Sequence, residues 1–177
     1  HGATGSISNH GSNAQMVVFR EPSLENYFSF AEKNNTPMQY PYEEKLFLVG
    51  FALLIKRSVF DQVGTLDERF SPGNYEDTDY GLRVITAGYK NLLCKNSFII
   101  HHGSKSFGKN VTTFTNVLHT NAEKFKQKWD ISPHYYLHPR LELVQQIHEA
   151  HTTPLNILDV GCGCGALSAA LRGVYPN

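Results

Sequence analysis

One long apolar run limits how this chain can fold. Between Leu46 and Ile55, within KLFLVGFALLIKR at residues 45–57, every residue except Gly50 is hydrophobic. Both faces of such a run are expected to be buried, which is typical of a strand inside a sheet. It therefore predicts a buried strand over residues 45–57. Gly50 predicts a point where another backbone or a ligand approaches closely.

Helical and strand patterns surround this run. Amphipathic or capped patterns predict helices at residues 23–34 (with Ser23 as N-cap), 58–64, 113–129 and about 140–151. Two strands joined by a turn at Lys95-Asn96 are predicted at residues 91–94 and 97–101. The Gly, Ser and Asn content of residues 1–15 predicts a loop, and the two prolines of residues 130–139 predict a linker.

The composition excludes several classes of protein. The 177 residues include 16 Lys+Arg and 16 Asp+Glu, so the formal net charge is zero and no broad cationic surface for nucleic acid or lipid is expected. Hydrophobic residues, at 41%, predict a globular protein, and no apolar run reaches membrane-spanning length. Three cysteines form no disulfide framework, so a reducing, cytoplasmic location is expected.

Three carboxylates open a helical pattern in NYEDTDYGLRVITAGY, residues 74–89. Glu76, Asp77 and Asp79 lie within four positions, and Arg83 follows Asp79 at i,i+4. The helix dipole stabilises carboxylates at a helix N-terminus, and an Asp–Arg pair at this spacing stabilises a helix. A catalytic or metal site is the second interpretation. These residues by themselves leave both interpretations open.

Several short motifs follow one another along residues 2–129. They are GATGSISN near the start, the strand with Gly50, Gly64…Asp67-Glu68-x-Phe70, Glu76-Asp77-x-Asp79 with Arg83, Ala87-Gly88-Tyr89, and His101-His102-Gly103-Ser104. In this order they resemble the C-terminal half of the inverting family 2 glycosyltransferases. The resemblance implies an α/β chain with a partial GT-A (Rossmann-like) fold. It also implies transfer of a sugar from a nucleotide-sugar to a saccharide acceptor, in cell-surface polysaccharide synthesis.

The resemblance implies roles for individual residues. Asp77 is the implied catalytic base, which takes the proton of the acceptor hydroxyl, and Glu76 orients the acceptor or the base. A neighbouring carboxylate raises the proton affinity of its partner, which suits a base. The implied substrate-binding residues are Gly50, Asp67, Asp79, Arg83 and Lys105.

His101 carries the implied metal role, as a ligand of a divalent cation, Mn or Mg, beside the donor diphosphate. The alternative is an ordinary polar residue at a strand end. The family's metal-binding Asp-x-Asp precedes the GATGSISN-like segment, whereas the first aspartate of this chain is Asp61. Asp77-Thr78-Asp79 is therefore not that motif. The chain is expected to be a fragment that binds no metal by itself and no nucleotide-sugar with normal affinity.

A different motif occupies NILDVGCGCGALSAAL, residues 156–171. An apolar strand pattern ends at Asp159, and Gly161, Gly163 and Gly165 turn into an alanine-rich helix, as in the first βα turn of a Rossmann-like unit. LDVGCGCG resembles motif I of the class I S-adenosylmethionine-dependent methyltransferases. The resemblance implies that Asp159 and these glycines bind S-adenosylmethionine in an intact parent protein. A metal or redox pair formed by the two cysteines of the turn is the alternative.

Three segments are predicted. Residues 1–130 form the acceptor-side half of a GT-A domain, residues 131–153 a linker and connector helix, and residues 154–177 the truncated first βα unit of a second Rossmann-like, methyltransferase domain. The predicted function is that of an inverting glycosyltransferase. The alternatives are an S-adenosylmethionine-dependent methyltransferase and a non-catalytic saccharide-binding module. A missing donor half would leave a sheet edge exposed, so self-association through that edge is expected.

Overall fold

A four-stranded mixed sheet forms the centre of the protein. The computed structural model describes residues 1–12, 14–103, 111–150 and 155–174. The strands are β1 (Ala3–Ser8), β2 (Tyr42–Lys45), β3 (Leu53–Ile55) and β4 (Asn91–Ile99), in the spatial order β2-β4-β1-β3. Strand β4 runs parallel to β1, whereas β2 is antiparallel to β4 and β3 is antiparallel to β1. The predicted α/β class is confirmed.

Seven α-helices accompany the sheet in the described ranges. They are α1 (Leu24–Asn34), α2 (Arg57–Val63), α3 (Glu76–Thr86), α4 (Val111–Trp129), α5 (Pro133–Tyr136), α6 (Leu141–Ala150) and α7 (Ala166–Val174), with a short 3-10 turn at Glu68–Phe70. The predicted cap of α1 is present, because the Ser23 side chain accepts a hydrogen bond from the backbone N–H of Asn26. No described helix combines the length and the apolar character that a membrane crossing requires.

The apolar run does not form the single strand predicted over residues 45–57. Strand β2 ends at Lys45, β3 begins at Leu53, and the intervening residues are irregular. Only part of the run is buried: Leu48 packs in the core under the sheet and Phe47 packs in a second core beside α3 and α4, whereas Leu54 is exposed. Side chains satisfy backbone groups that a strand partner would otherwise bind. The N–H of Val49, for example, donates to Oε1 of Gln15 at 2.7 Å.

The hairpin predicted over residues 91–101 is also wrong. The segment forms one strand, β4, and the predicted turn at Lys95-Asn96 is a bulge within it. Strand β1 pairs with β4 on both sides of the bulge, because Ser6 lies opposite Cys94 and Ile7 lies opposite Phe98. The parallel neighbour therefore holds both halves of the segment in one strand, which local turn propensity does not reveal.

Helix α3 lies against the irregular part of the apolar run. At Gly81, a Cβ atom would lie 2.5 Å from Cβ and 2.6 Å from Cα of Phe47, so only glycine allows this approach. The buried Asn91 side chain donates to the carbonyls of Leu46 and Gly81, at 2.8 and 2.9 Å, and joins the two segments. This contact brings the start of α3 close to Gly50.

The C-terminal part of the described chain differs from the predicted βα unit. Its helix is present as α7, which packs against β2 and α6. Residues 155–160 form no strand, and Leu158 and Val160 are 86% and 85% exposed. A strand needs a paired neighbour, and the described residues supply none here. The predicted domain boundaries at 130/131 and 153/154 remain predictions.

The sheet has two edges, β2 and β3. Helix α7 packs against β2, whereas Leu54 of β3 is 75% exposed. Exposed apolar residues on an edge strand favour association with another chain. Self-association through a sheet edge therefore remains a prediction, with β3 as the more exposed edge.

Candidate functional site

The start of α3 has an unusual backbone. Asn74 and Tyr75 both have φ of 73°, in the left-handed region that non-glycine residues seldom adopt. Tyr75 is the N-cap residue and makes no capping hydrogen bond with its side chain. The carboxylates that follow therefore begin the helix from a strained turn, and such turns persist only where the surrounding structure holds them.

Asp77 lies in the first turn of α3. Its Oδ2 accepts a hydrogen bond from the N–H of Gly50 at 3.0 Å, and its Oδ1 accepts from the N–H and the hydroxyl of Thr78 at 2.7 and 3.2 Å. The side chain is half-buried and forms no salt bridge with any described residue. Burial raises the pKa of Asp77, although these hydrogen bonds oppose the rise.

His101 is linked to Asp77 through residues 50 and 51. Gly50 binds the carboxylate, and the next side chain, Phe51, stacks on the imidazole with ring centroids 4.9 Å apart. Nδ1 of His101 lies 2.9 Å from the carbonyl oxygen of His10. The Asn9 amide also binds the N–H and C=O of His101, at 2.8 and 3.2 Å. The predicted base and the predicted metal ligand are thus joined through two consecutive residues.

Glu76 differs from its neighbour. Its Oε2 atom is buried and has no hydrogen-bond partner among the described residues. Burial, and secondarily the charge of Asp77, raise the pKa of Glu76. Two adjacent carboxylates with raised proton affinity suit acid–base chemistry, and the role predicted for Glu76 in orienting the acceptor or the base remains a prediction.

Asp79 and Arg83 form the predicted ion pair, at 2.9 Å between Oδ2 and Nε. Asp79 is 0% exposed, and its Oδ1 also contacts Nζ of Lys128 at 2.6 Å and Nε1 of Trp129 at 2.8 Å. The remaining guanidinium nitrogens of Arg83 donate to the carbonyls of residues 63 and 65, each at 2.8 Å. These contacts hold α3 to the rest of the domain. The substrate-binding role of Asp79 and Arg83 remains a prediction.

Asp67 is likewise engaged by protein groups. Its carboxylate contacts Arg69 at 2.6 Å and Lys128 at 2.7 Å, and it accepts from the N–H of Arg69 at the start of the 3-10 turn. These cations hold the pKa of Asp67 well below its usual range. A substrate would have to compete with both cations for Asp67. The predicted Lys105 lies outside the described residues.

The described residues do not form a complete metal site. No group of three or more His, Cys, Asp or Glu side chains in residues 1–12, 14–103, 111–150 and 155–174 is arranged to hold a metal ion. His101 alone supplies too few donors for a Mn or Mg ion, which prefers several oxygen ligands. The residues described therefore do not fit the metal role, and no catalytic step is derived through a metal.

The glycine turn before α7 has the predicted backbone conformation. Gly161, Gly163 and Gly165 have φ of 77°, 56° and 78°, where glycine is favoured. The Asp159 carboxylate accepts from the Ser168 hydroxyl at 3.1 Å and so ties the turn to α7. Binding of S-adenosylmethionine by these residues remains a prediction.

Several residues that shape the site were missed by the sequence analysis. Each is a buried or partly buried polar or small residue in a tertiary contact, namely Gln15, Gly81, Asn91, Asn121 and Lys128. Only Gly81 had a local signal, because glycine inside a helical pattern is unfavourable unless a close contact needs it. A lone Asn, Gln or Lys carries no such signal.

Comparison with known proteins connects the chain with glycosyltransferases. A stretch of 62 residues is 39% identical to N-acetylglucosaminyl-diphospho-decaprenol L-rhamnosyltransferase of Mycobacterium tuberculosis, in strains CDC 1551 / Oshkosh and ATCC 25618 / H37Rv. It covers 35% of this chain and 20% of each relative, so the chain spans about a fifth of the length of the curated relatives it matches. No family model and no solved structure matches the chain. The similarity does not address the methyltransferase prediction.

The environment of Asp77 predicts an effect on stability. Because burial raises its folded-state pKa above the usual 3.8, the charged carboxylate is unfavourable in the folded protein at higher pH. Asp77→Asn is therefore expected to raise the free energy of unfolding at pH 7. This gain shrinks as the pH falls through the raised pKa of the folded protein, and it is lost below the usual value of 3.8. Urea unfolding at several pH values measures this. Asp61→Asn, at an exposed carboxylate, is the control, and an equal gain there would contradict the interpretation.

Proposed function

We propose that this chain carries the acceptor-side part of an inverting glycosyltransferase, with Asp77 as the general base. The observation that carries the proposal is the placement of Asp77. It is half-buried and is bound by the N–H of Gly50, and the next residue, Phe51, stacks on His101. The partial similarity to a rhamnosyltransferase supports the same class of reaction.

The proposed reaction uses Asp77 to accept a proton. The acceptor hydroxyl gives its proton to the carboxylate while its oxygen forms a bond to the anomeric carbon of the donor sugar. The bond from that carbon to the diphosphate oxygen breaks, and its electron pair leaves with the nucleoside diphosphate. Attack opposite the leaving group inverts the anomeric configuration. The raised pKa of Asp77 suits this role, since a stronger base accepts the proton more readily.

We further propose a lipid-linked saccharide as the first acceptor to test. The relatives are named for transfer of L-rhamnose to N-acetylglucosaminyl-diphospho-decaprenol. An acceptor of this kind would place the reaction in cell-surface polysaccharide synthesis. Nucleotide-activated L-rhamnose and an N-acetylglucosaminyl-diphospho-polyprenol are therefore suitable probes for donor and acceptor.

A transfer assay tests the proposal. We would incubate these probes with the chain, and with a version extended by any natural flanking sequence, and analyse the product by mass spectrometry and NMR. The expected product contains one added sugar with inverted anomeric configuration. A retained configuration would overturn the inverting mechanism. Acceptor binding without transfer in every version would instead favour a saccharide-binding module.

A further inference from the structure

Helix α4 contacts the strained turn at several points. The buried Nδ2 of Asn121 lies 2.6 Å from the carbonyl oxygen of Phe70, 2.8 Å from that of Gly73 and 3.3 Å from that of Asn74. One side chain thus binds three carbonyls of the segment that leads into α3. Buried carbonyls need such partners, so Asn121 constrains the path of this segment.

Two further contacts follow on the same face of α4. The Phe125 ring packs on the ring of Tyr75, with centroids 5.7 Å apart, and Tyr75 is the N-cap residue in the left-handed conformation. One turn later, Lys128 and Trp129 bind Oδ1 of Asp79 at 2.6 and 2.8 Å. Asn121, Phe125, Lys128 and Trp129 are spaced at i, i+4, i+7 and i+8, which places them on one side of the helix. We call these four residues the α4 stripe.

We propose that the α4 stripe positions Asp77 for the transfer reaction by holding residues 70–79 on both sides of it. The stripe binds the turn before Asp77 through Asn121 and Phe125, and the helix after it through Asp79. Among the described residues, the Asp77 carboxylate has its hydrogen-bond partners in Gly50 and Thr78 and not in these four side chains. They are therefore positioning residues, and their proposed role rests on the proposed function of Asp77.

The positioning role has a consequence that simple stabilisation lacks. If residues 70–79 relax, Asp77 gains access to solvent, and its pKa falls towards its usual value. Burial is the cause of the raised pKa of Asp77, and Gly50 and Thr78 donate the opposing hydrogen bonds. Glu76 is the adjacent carboxylate, and its own pKa is raised by burial and by the charge of Asp77. The titration of Asp77 therefore reports on positioning independently of turnover.

Matched variants on α4 test the proposal. Asn121→Ala and Lys128→Met alter the stripe, whereas Asn116→Ala and Lys126→Met change the same residue types at exposed positions of the same helix. We would titrate the Asp77 carboxylate of this chain by ¹³C NMR. In the protein that the transfer assay shows to be active, we would measure kcat, KM and the pH profile. If Asn121→Ala does not fold, the titration and the kinetics of Lys128→Met alone test the proposal.

The stripe variants are expected to lower the pKa of Asp77 and to lower kcat about tenfold with little change in KM, because a small misplacement of a catalytic group slows the reaction. The acidic limb of the pH profile is expected to move to lower pH. The exposed control variants are expected to change neither the pKa of Asp77 nor kcat. An unchanged titration and kcat with a lower unfolding midpoint would overturn the proposal. Unchanged turnover in Asp77→Asn would instead remove the proposed function, while the titration would still report on the stripe.

Discussion

Asp77→Asn is expected to lower kcat of sugar transfer by at least about 100-fold, which is a typical contribution of a general base. Asparagine has nearly the same shape and still accepts a hydrogen bond from the N–H of Gly50 or Thr78, but it takes no proton from the acceptor hydroxyl. Because the substitution removes the desolvated charge, we expect the variant to stay folded at pH 7, and urea unfolding checks this. Steady-state transfer kinetics, with donor concentration varied, measure the effect.

The control for this variant is Asp61→Asn, at an exposed carboxylate paired with Arg57 at 2.8 Å. This control is expected to leave kcat within about twofold, as surface substitutions are usually neutral. Wild-type turnover in Asp77→Asn would remove Asp77 from the mechanism. A large rise in KM for the donor with unchanged kcat would point to ground-state binding by Asp77 rather than proton transfer.

The second large effect concerns the stability of α3. Asp79→Ala is expected to lower the free energy of unfolding by about 3 kcal/mol, because removing one partner of a buried ion pair leaves the others uncompensated. Arg83, Lys128 and the indole N–H of Trp129 each lose a hydrogen-bond or ion-pair partner, and Asp79 itself is fully buried. Urea unfolding at pH 7, followed by circular dichroism, measures the change.

Asp61→Ala is a matched control for Asp79→Ala. Arg57 and Asp61 also form an Asp–Arg pair four residues apart in a helix, but both side chains are more than half exposed. Exposed pairs of this kind contribute about 0.5 kcal/mol, so the two substitutions are expected to differ several-fold. Equal effects would show that burial and the additional partners of Asp79 contribute nothing to the stability of the domain.

The helix features that depend on residues close in sequence were predicted correctly. Ser23 caps α1, and Gly64 ends α2 with φ of 86°, as the sequence patterns predicted. The Asp79–Arg83 pair also forms, because i,i+4 spacing places both side chains on one face of any helix. Each of these features depends on atoms only a few residues apart.

Strand predictions failed where distant partners decide the outcome. The apolar run was predicted as one strand, but its side chains divide between two cores and its backbone binds side chains such as Gln15. The predicted hairpin became one bulged strand because β1 pairs with both of its halves. Hydrophobicity alone predicts that a segment contributes to a core, but it does not predict which groups bind its backbone.

The sequence by itself determined that Asp77 opens a helix, that Gly50 lies in an apolar run, and that His101 follows a strand. It also determined the order of motifs that resembles a glycosyltransferase. Only the tertiary structure decided that Gly50 binds Asp77 and that Phe51 stacks on His101, because these contacts join residues 27 and 50 positions apart. It also distinguished Asp77 from Asp79, two acids two positions apart in one motif. Asp79 is fully buried and is bound by Arg83 and Lys128, whereas Asp77 is half-buried and forms no salt bridge with a described residue.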